Sequence, residues 1–232
     1  MEKPEIVVRD PASARVAEGL ATAIHELRLP PGAKLGEDEV GEIYGVSRTV
    51  VRAALQTLAH GQLVQVRRNK GAFVASPSRR EAREIFEARS LLEPRTARSA
   101  ALRAAPADVA RLKTHITEEH AALAAADQGR ALRLSGLFHI EISRIADQDV
   151  IARFIETLVA RSSLIIALYH RRESAMCERH AHDELIDAIG AGDGPRAEEM
   201  MHSHLVDLHS ALDLRDRPAE PSTLREALLG PR

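Results

Sequence analysis

Across residues 43–80 the chain carries Arg48, Arg52, Arg67, Arg68, Lys70, Arg79 and Arg80 and not one Asp or Glu. Within that window GVSRTVVRAAL is followed by VRRNKGAFV, and the apolar positions of the two pieces repeat differently. Val51, Ala54, Leu55 and Leu58 share one face of a helix that Ser47 is placed to cap, which leaves Arg48, Thr49 and Arg52 facing outward. Leu63 to Val66 and Ala72 to Ala75 read as short strands joined by the turn Arg67-Arg68-Asn69-Lys70-Gly71. An unopposed basic segment of this kind offers donors to phosphates, while its polar side chains reach base edges.

The residues before it complete a recognisable order of elements. Val16, Leu20, Ala23, Ile24 and Leu27 recur at helical spacing between Ala12 and Leu29, and Pro30-Pro31-Gly32 stops them. Glu37, Asp38 and Glu39 crowd the start of a second short helix, where negative charge suits the N-terminus, and Gly45 closes it. A helix, a short acidic helix, a glycine turn, a capped basic helix and a basic hairpin predict a winged helix-turn-helix over residues 10–76. Ser47, Arg48, Thr49 and Arg52 are then the groove-facing set. Arg48 and Arg52 lie one helical turn apart, so one can read guanine while the other grips phosphate, and the spacing leaves open which does which. Arg67, Arg68 and Lys70 are expected on phosphate or in the minor groove, with Gly71 letting the wing backbone approach. No Trp and an aromatic fraction of 3% argue against stacking on single strands, so the expected partner is duplex DNA.

The net charge of −2 hides an asymmetry: residues 1–80 hold 12 Lys/Arg against 9 Asp/Glu, and residues 81–232 hold 20 against 25. Basic function is therefore localised. After a linker at residues 77–80 the pattern is entirely helical, rich in Ala, Leu and Arg. It predicts helices at about 79–104, 106–127, 130–146, 148–172, 175–191 and 195–213, with Pro106 and Pro195 in first turns and Pro94 bending or interrupting the first. The fold class is mostly α: a winged helix-turn-helix and an all-α bundle over 81–214. Residues 215–232 read as a flexible tail in which Leu224, Leu228 and Leu229 form at most a short docked helix. A single cysteine, Cys177, no apolar stretch near the ~20 residues that span a bilayer, and no signal segment predict a soluble cytoplasmic protein with no membrane partner.

His139, His182 and His204 sit among apolar residues on three different predicted helices, beside Phe138 and Ile142, Leu185 and Ile186, and Met201, Leu205 and Leu208. Neutral imidazoles converging inside a bundle suit a divalent transition metal, with positions left for water or a carboxylate. From spacing alone, a lone histidine on an apolar face is more often a hydrogen-bonded core residue. Arg89 and Glu93, four apart on the first bundle helix, read as an intrahelical ion pair. His115, His120, His170, His180, His202 and His209 are expected at the surface. Cys177 near His180 lacks any oxyanion or nucleophile-elbow motif, and no enzyme is predicted.

LPPGAKL, GVSRTVVRAALQTL and NKGAFV together resemble the N-terminal domain of GntR-family bacterial transcription regulators, with Val50 where the family usually has proline and Ala53 where it has glutamate. FEARSLLEPRTARSAA and the helices that follow resemble the FadR-type effector domain, FCD, in its shorter six-helix variant. The resemblance implies a ligand-responsive homodimer, a repressor as most of the family are, binding operator DNA and a small organic acid. It also implies His139, His182 and His204 as ligands to zinc, nickel or manganese, and Arg89 as a carboxylate clamp. Where the family's D-x-x-F-H pattern has an acid, this chain has Ser135, a hydroxyl that orients a water but does not neutralise a cation. The expected site is therefore weakened unless the effector's carboxylate fills the gap. Two other readings stay open: a metal-dependent enzyme tethered to DNA, and a DNA-binding dimer with no small-molecule effector.

Overall fold

Asp10 caps the first helix, α1 (Pro11–His25), by accepting from the Ala12 N–H, and proline fills the first turn. α1 stops short of the predicted Leu29 because Leu27 takes a left-handed φ of 58° and turns the chain back, so that the Leu29 N–H donates to the Ala23 carbonyl. Next come β1 (Lys34–Leu35), α2 (Glu37–Tyr44) and α3 (Arg48–His60). Gly45, at φ 64°, supplies the left-handed C-cap that separates α2 from α3, and Ser47 Oγ accepts from the Val50 N–H at 3.5 Å to begin α3. The wing is β2 (Val64–Arg67) and β3 (Gly71–Val74), with Val66 opposite Ala72 and Arg67 opposite Gly71. β1 also pairs with β3, giving the antiparallel order β1-β3-β2. Two residues are too few to show a strand's alternation, so β1 has no signature in the sequence.

The computed structural model describes residues 10–170 and 178–215. Cys177, the start of the helix predicted at 175 and the tail beyond Arg215, with Leu224, Leu228 and Leu229, lie outside the described residues. The bundle is α4 (Arg79–Ala101), α5 (Pro106–Ala124), α6 (Gln128–Ile145), α7 (Asp149–Tyr169), α8 (Glu178–Gly190) and α9 (Gly194–Ser210). Ser78 and Glu81 cap α4 reciprocally, and Asp127 and Asp193 cap α6 and α9. Pro94 does not interrupt α4, which runs through it as one helix. Pro94 removes one intrahelical hydrogen bond from α4, which packs against α9. Leu112 and Ile116, Phe138 and Ile142, Leu185 and Ile189, and Met201 and Leu205 bring α5, α6, α8 and α9 into one core. Among the described residues no helix is long and apolar enough to cross a membrane.

The winged-helix unit rests on this bundle. A Cβ on Gly129, near the start of α6, would lie 2.2 Å from the carbonyl oxygen of Glu26 at the end of α1, so only glycine permits this approach. Arg133 Nε, one turn further along α6, donates to Glu26 Oε1 at 3.0 Å. Leu164 of α7 is fully buried within the same apolar cluster as Val16, Leu20, Ile24, Val51 and Leu55.

Candidate functional site

The buried stripe of α6 runs through Leu134, Phe138 and Ile142 and carries His139 inward with it; the corresponding stripes of α8 and α9 carry His182 and His204. The three imidazoles are 2–4% exposed and meet at one place. Nε2 of His204 lies 3.3 Å from Nε2 of His182 and 3.3 Å from Nε2 of His139. Their ligating atoms all fall within 4.8 Å of one another.

Carboxylates behind two of the rings set their tautomers. Glu93 Oε2 lies 2.6 Å from His139 Nδ1. Burial works to raise the Glu93 pKa, but the Arg89 guanidinium and His139 outweigh it and bring it down to about 2. Arg89 binds the carboxylate through Nε at 2.5 Å and Nη2 at 3.3 Å, and both side chains are 2% exposed. An ionised carboxylate only accepts, so His139 carries its proton on Nδ1 and presents an Nε2 lone pair to the centre. Burial lowers the pKa of His139 against the pull of Glu93 and keeps the ring neutral. His204 falls well below the usual imidazole range, first through burial and then through its two histidine neighbours. Behind His182, Glu119 Oε2 of α5 lies 3.3 Å from Nδ1. The contact is within ion-pair range, yet that buried oxygen has no hydrogen-bond partner; a proton on His182 Nδ1 would give it one and would leave the Nε2 lone pair facing the centre.

These tautomers leave the three rings in conflict. With lone pairs from His139 and His182 both turned toward Nε2 of His204, a single imidazole proton satisfies only one contact. The other leaves an imidazole lone pair 3.3 Å from a nitrogen whose proton points elsewhere. A cation satisfies all three. Nitrogens bound at ~2.0–2.1 Å with tetrahedral angles stand roughly 3.3–3.4 Å apart; the two separations from His204 agree with that spacing, and all three ligating atoms lie within 4.8 Å of one another. The donor set therefore fits a divalent transition metal.

Ser135 lies one turn before His139 on α6 and is half-buried. Arg89 and Glu93 form the intrahelical pair that their spacing allows; it is buried and leads to His139. Glu93 and Glu119 were not singled out from the sequence as partners of the histidines. Both fall on the buried stripes of their helices, Glu93 with Phe86 and Ala97, Glu119 with Leu112 and Ile116. A carboxylate on such a stripe requires a buried partner, and that was the available signal. His115, expected at the surface, is half-buried, with Nε2 2.7 Å from the Leu134 carbonyl and its ring stacked on Phe138.

On the other unit Ser47, Arg48, Thr49, Arg52, Arg67, Arg68, Lys70 and Gly71 are all exposed. The basic segment is not unopposed, however. Arg52 Nε donates to Glu37 Oε2 at 2.8 Å, and Arg48 Nε pairs with Asp38, because the short turn at Gly45 folds the acidic start of α2 back against α3. In the wing Arg67 bonds Gln65 Oε1 at 3.1 Å and lies over the Phe73 ring at 4.8 Å. Gly71 takes φ 93° beside Lys70 at the hairpin tip.

Comparison with known proteins agrees with both units. The FCD domain family matches residues 84–207, and the family described as bacterial regulatory proteins, gntR family, matches residues 12–74. The HTH-type transcriptional repressor RspR of Escherichia coli is 26% identical over 204 residues, covering 87% of this chain and 89% of its own. The HTH-type transcriptional regulator LutR of Bacillus subtilis is 24% identical over 208 residues, 79% of this chain and 93% of its own. An HTH-type transcriptional regulator of Streptomyces ambofaciens, from an unstable DNA locus, is 32% identical over 193 residues, 77% and 75% of the two chains. A solved GntR regulator from Rhodococcus shares the fold with a TM-score of 0.75 at 23% identity, over 87% of this chain and 97% of its own. These relatives regulate transcription and are not enzymes. With a DNA-reading winged helix and a helical effector domain both matched, the chain belongs to the GntR family of bacterial transcription regulators and carries its FCD domain.

Proposed function

We propose that this regulator is a cytoplasmic homodimeric repressor that senses a small carboxylate metabolite at a divalent transition metal held by His139, His182 and His204. The observation that carries the reading is the pair of 3.3 Å Nε2 separations that meet at His204, where one imidazole proton serves only one of the two contacts. When bound, the metal supplies open coordination positions for an organic acid. Ser135 leaves the site one anionic ligand short, a gap that a carboxylate effector fills, and Ser135 itself orients a water. Arg89 holds Glu93 ionised, which fixes His139, and lends positive charge to the neighbourhood of an incoming acid.

α6 carries Ser135 and His139 and, nearer its start, the Gly129 and Arg133 contacts to α1. An effector that shifts α6 therefore changes how the DNA-reading unit sits, and it acts through its differing affinity for the two arrangements. Two such units, related by a two-fold axis, match a palindromic operator.

Elemental analysis of untagged protein purified without chelator is expected to find about one transition metal per chain. His182→Ala is expected to weaken zinc, nickel and manganese binding about a hundred-fold or more, beyond the loss typical of an outer-shell partner, with DNA binding retained. Unchanged metal affinity in that variant removes the site. For the DNA contacts, Arg48→Ala is expected to cost about 1–3 kcal/mol on the preferred sequence, whereas Lys70→Ala weakens all duplexes alike and lowers the salt slope by about one. Binding that is unchanged in both variants, measured by titration over a range of salt, overturns that assignment.

A further inference from the structure

We propose that Glu37 and Asp38 at the start of α2 set the sequence discrimination of the DNA-reading helix. The inference rests on α3 reading DNA. Both arginines of α3 that face outward are engaged through Nε, Arg52 by Glu37 at 2.8 Å and Arg48 by Asp38. A guanidinium held along its Nε side keeps its Nη1 and Nη2 donors at the free end. That end makes the bidentate contact to guanine O6 and N7 in the major groove. The carboxylates thus orient each arginine for end-on reading before DNA arrives, and they reduce the ordering cost on binding.

They also oppose non-specific attachment. Each carboxylate offsets the charge of its arginine and repels nearby phosphates, so the arginines contribute less to sequence-independent binding than free side chains do. Arg48 and Arg52 side chains are 64% and 65% accessible, Asp38 is exposed and Glu37 half-buried, so a phosphate competes readily for either arginine. Glu39 provides an internal control. It lies in the same first turn and is exposed, but no arginine is paired with it among the described residues.

The test uses the full chain. Selection from a randomised duplex pool defines the preferred sequence, and affinity is then measured for that duplex and for a guanine-free alternating dA-dT duplex across a salt series. Glu37→Gln and Asp38→Asn are each expected to bind the guanine-free duplex about two- to five-fold tighter, the range that corresponds to one exposed ion pair. The salt slope should steepen by about 0.9. Affinity for the selected sequence rises less, so the discrimination ratio falls, while Glu39→Gln leaves the ratio unchanged. An unchanged ratio in both paired-residue variants, or an equal fall in Glu39→Gln, overturns the proposal. Loss of all DNA binding in either variant also overturns it, because the carboxylates would then be supports of α3. If the wild-type chain enriches no sequence, the DNA-reading function fails first and the proposal with it.

Discussion

Glu93→Ala is expected to destabilise the bundle by about 3–5 kcal/mol, the usual result of leaving one partner of a buried ion pair without the other. Arg89 and Glu93 are both 2% exposed, and the carboxylate accepts from Arg89 Nε, Arg89 Nη2 and His139 Nδ1. Removing it strands a guanidinium in the core and frees the His139 ring to take the other tautomer. Urea unfolding measures the first effect, and cobalt titration followed by absorbance measures the second. The double variant Arg89→Met with Glu93→Leu separates them: stability recovers because no unpaired charge remains, less the cost of the unsatisfied His139 N–H, whereas metal affinity stays down by about ten- to hundred-fold. Full recovery of metal affinity in the double variant would mean that Glu93 serves the fold and not the histidines.

Local patterns carried much of this molecule. The capped start of α3, the Gly45 turn, the basic hairpin and the proline starts of α5 and α9 are all set by residues within a turn or two of each other, and the structure places them where the periodicity does. The three histidines were identifiable because each sits on an apolar stripe, which depends only on helical spacing. Partners across the fold left no such trace. Glu93 and His139 are 46 residues apart, and Arg52 meets Glu37 across a turn whose geometry depends on a left-handed glycine. The absence of acids from residues 43–80 suggested a free basic face, yet the opposing carboxylates stand just outside that window. Leu164 is the clearest case, since it reads as one more apolar residue of α7 and packs instead into the core of the DNA-reading unit.

That placement makes Leu164→Ala the sharpest probe of how the two units communicate. Leu164 is fully buried among residues of α1 and α3, and truncating it should cost about 2–5 kcal/mol, depending on how far the seam closes over the cavity. Its neighbour Ile165 is equally buried but belongs to the separate cluster of Ile85, Phe86 and Leu208. Ile165→Ala therefore imposes a similar loss on the bundle and leaves the seam intact. Amide hydrogen exchange should show the difference: faster exchange spreading through α1 and α3 in Leu164→Ala, and confined to α4, α7 and α9 in Ile165→Ala. Contacts at Gly129 and Arg133 persist in both variants, so any change in the response of DNA binding to a bundle ligand isolates the contribution of α7. Identical exchange patterns in the two variants would show that Leu164 fills space without joining the units, and would leave α6 as the route between the histidines and the DNA.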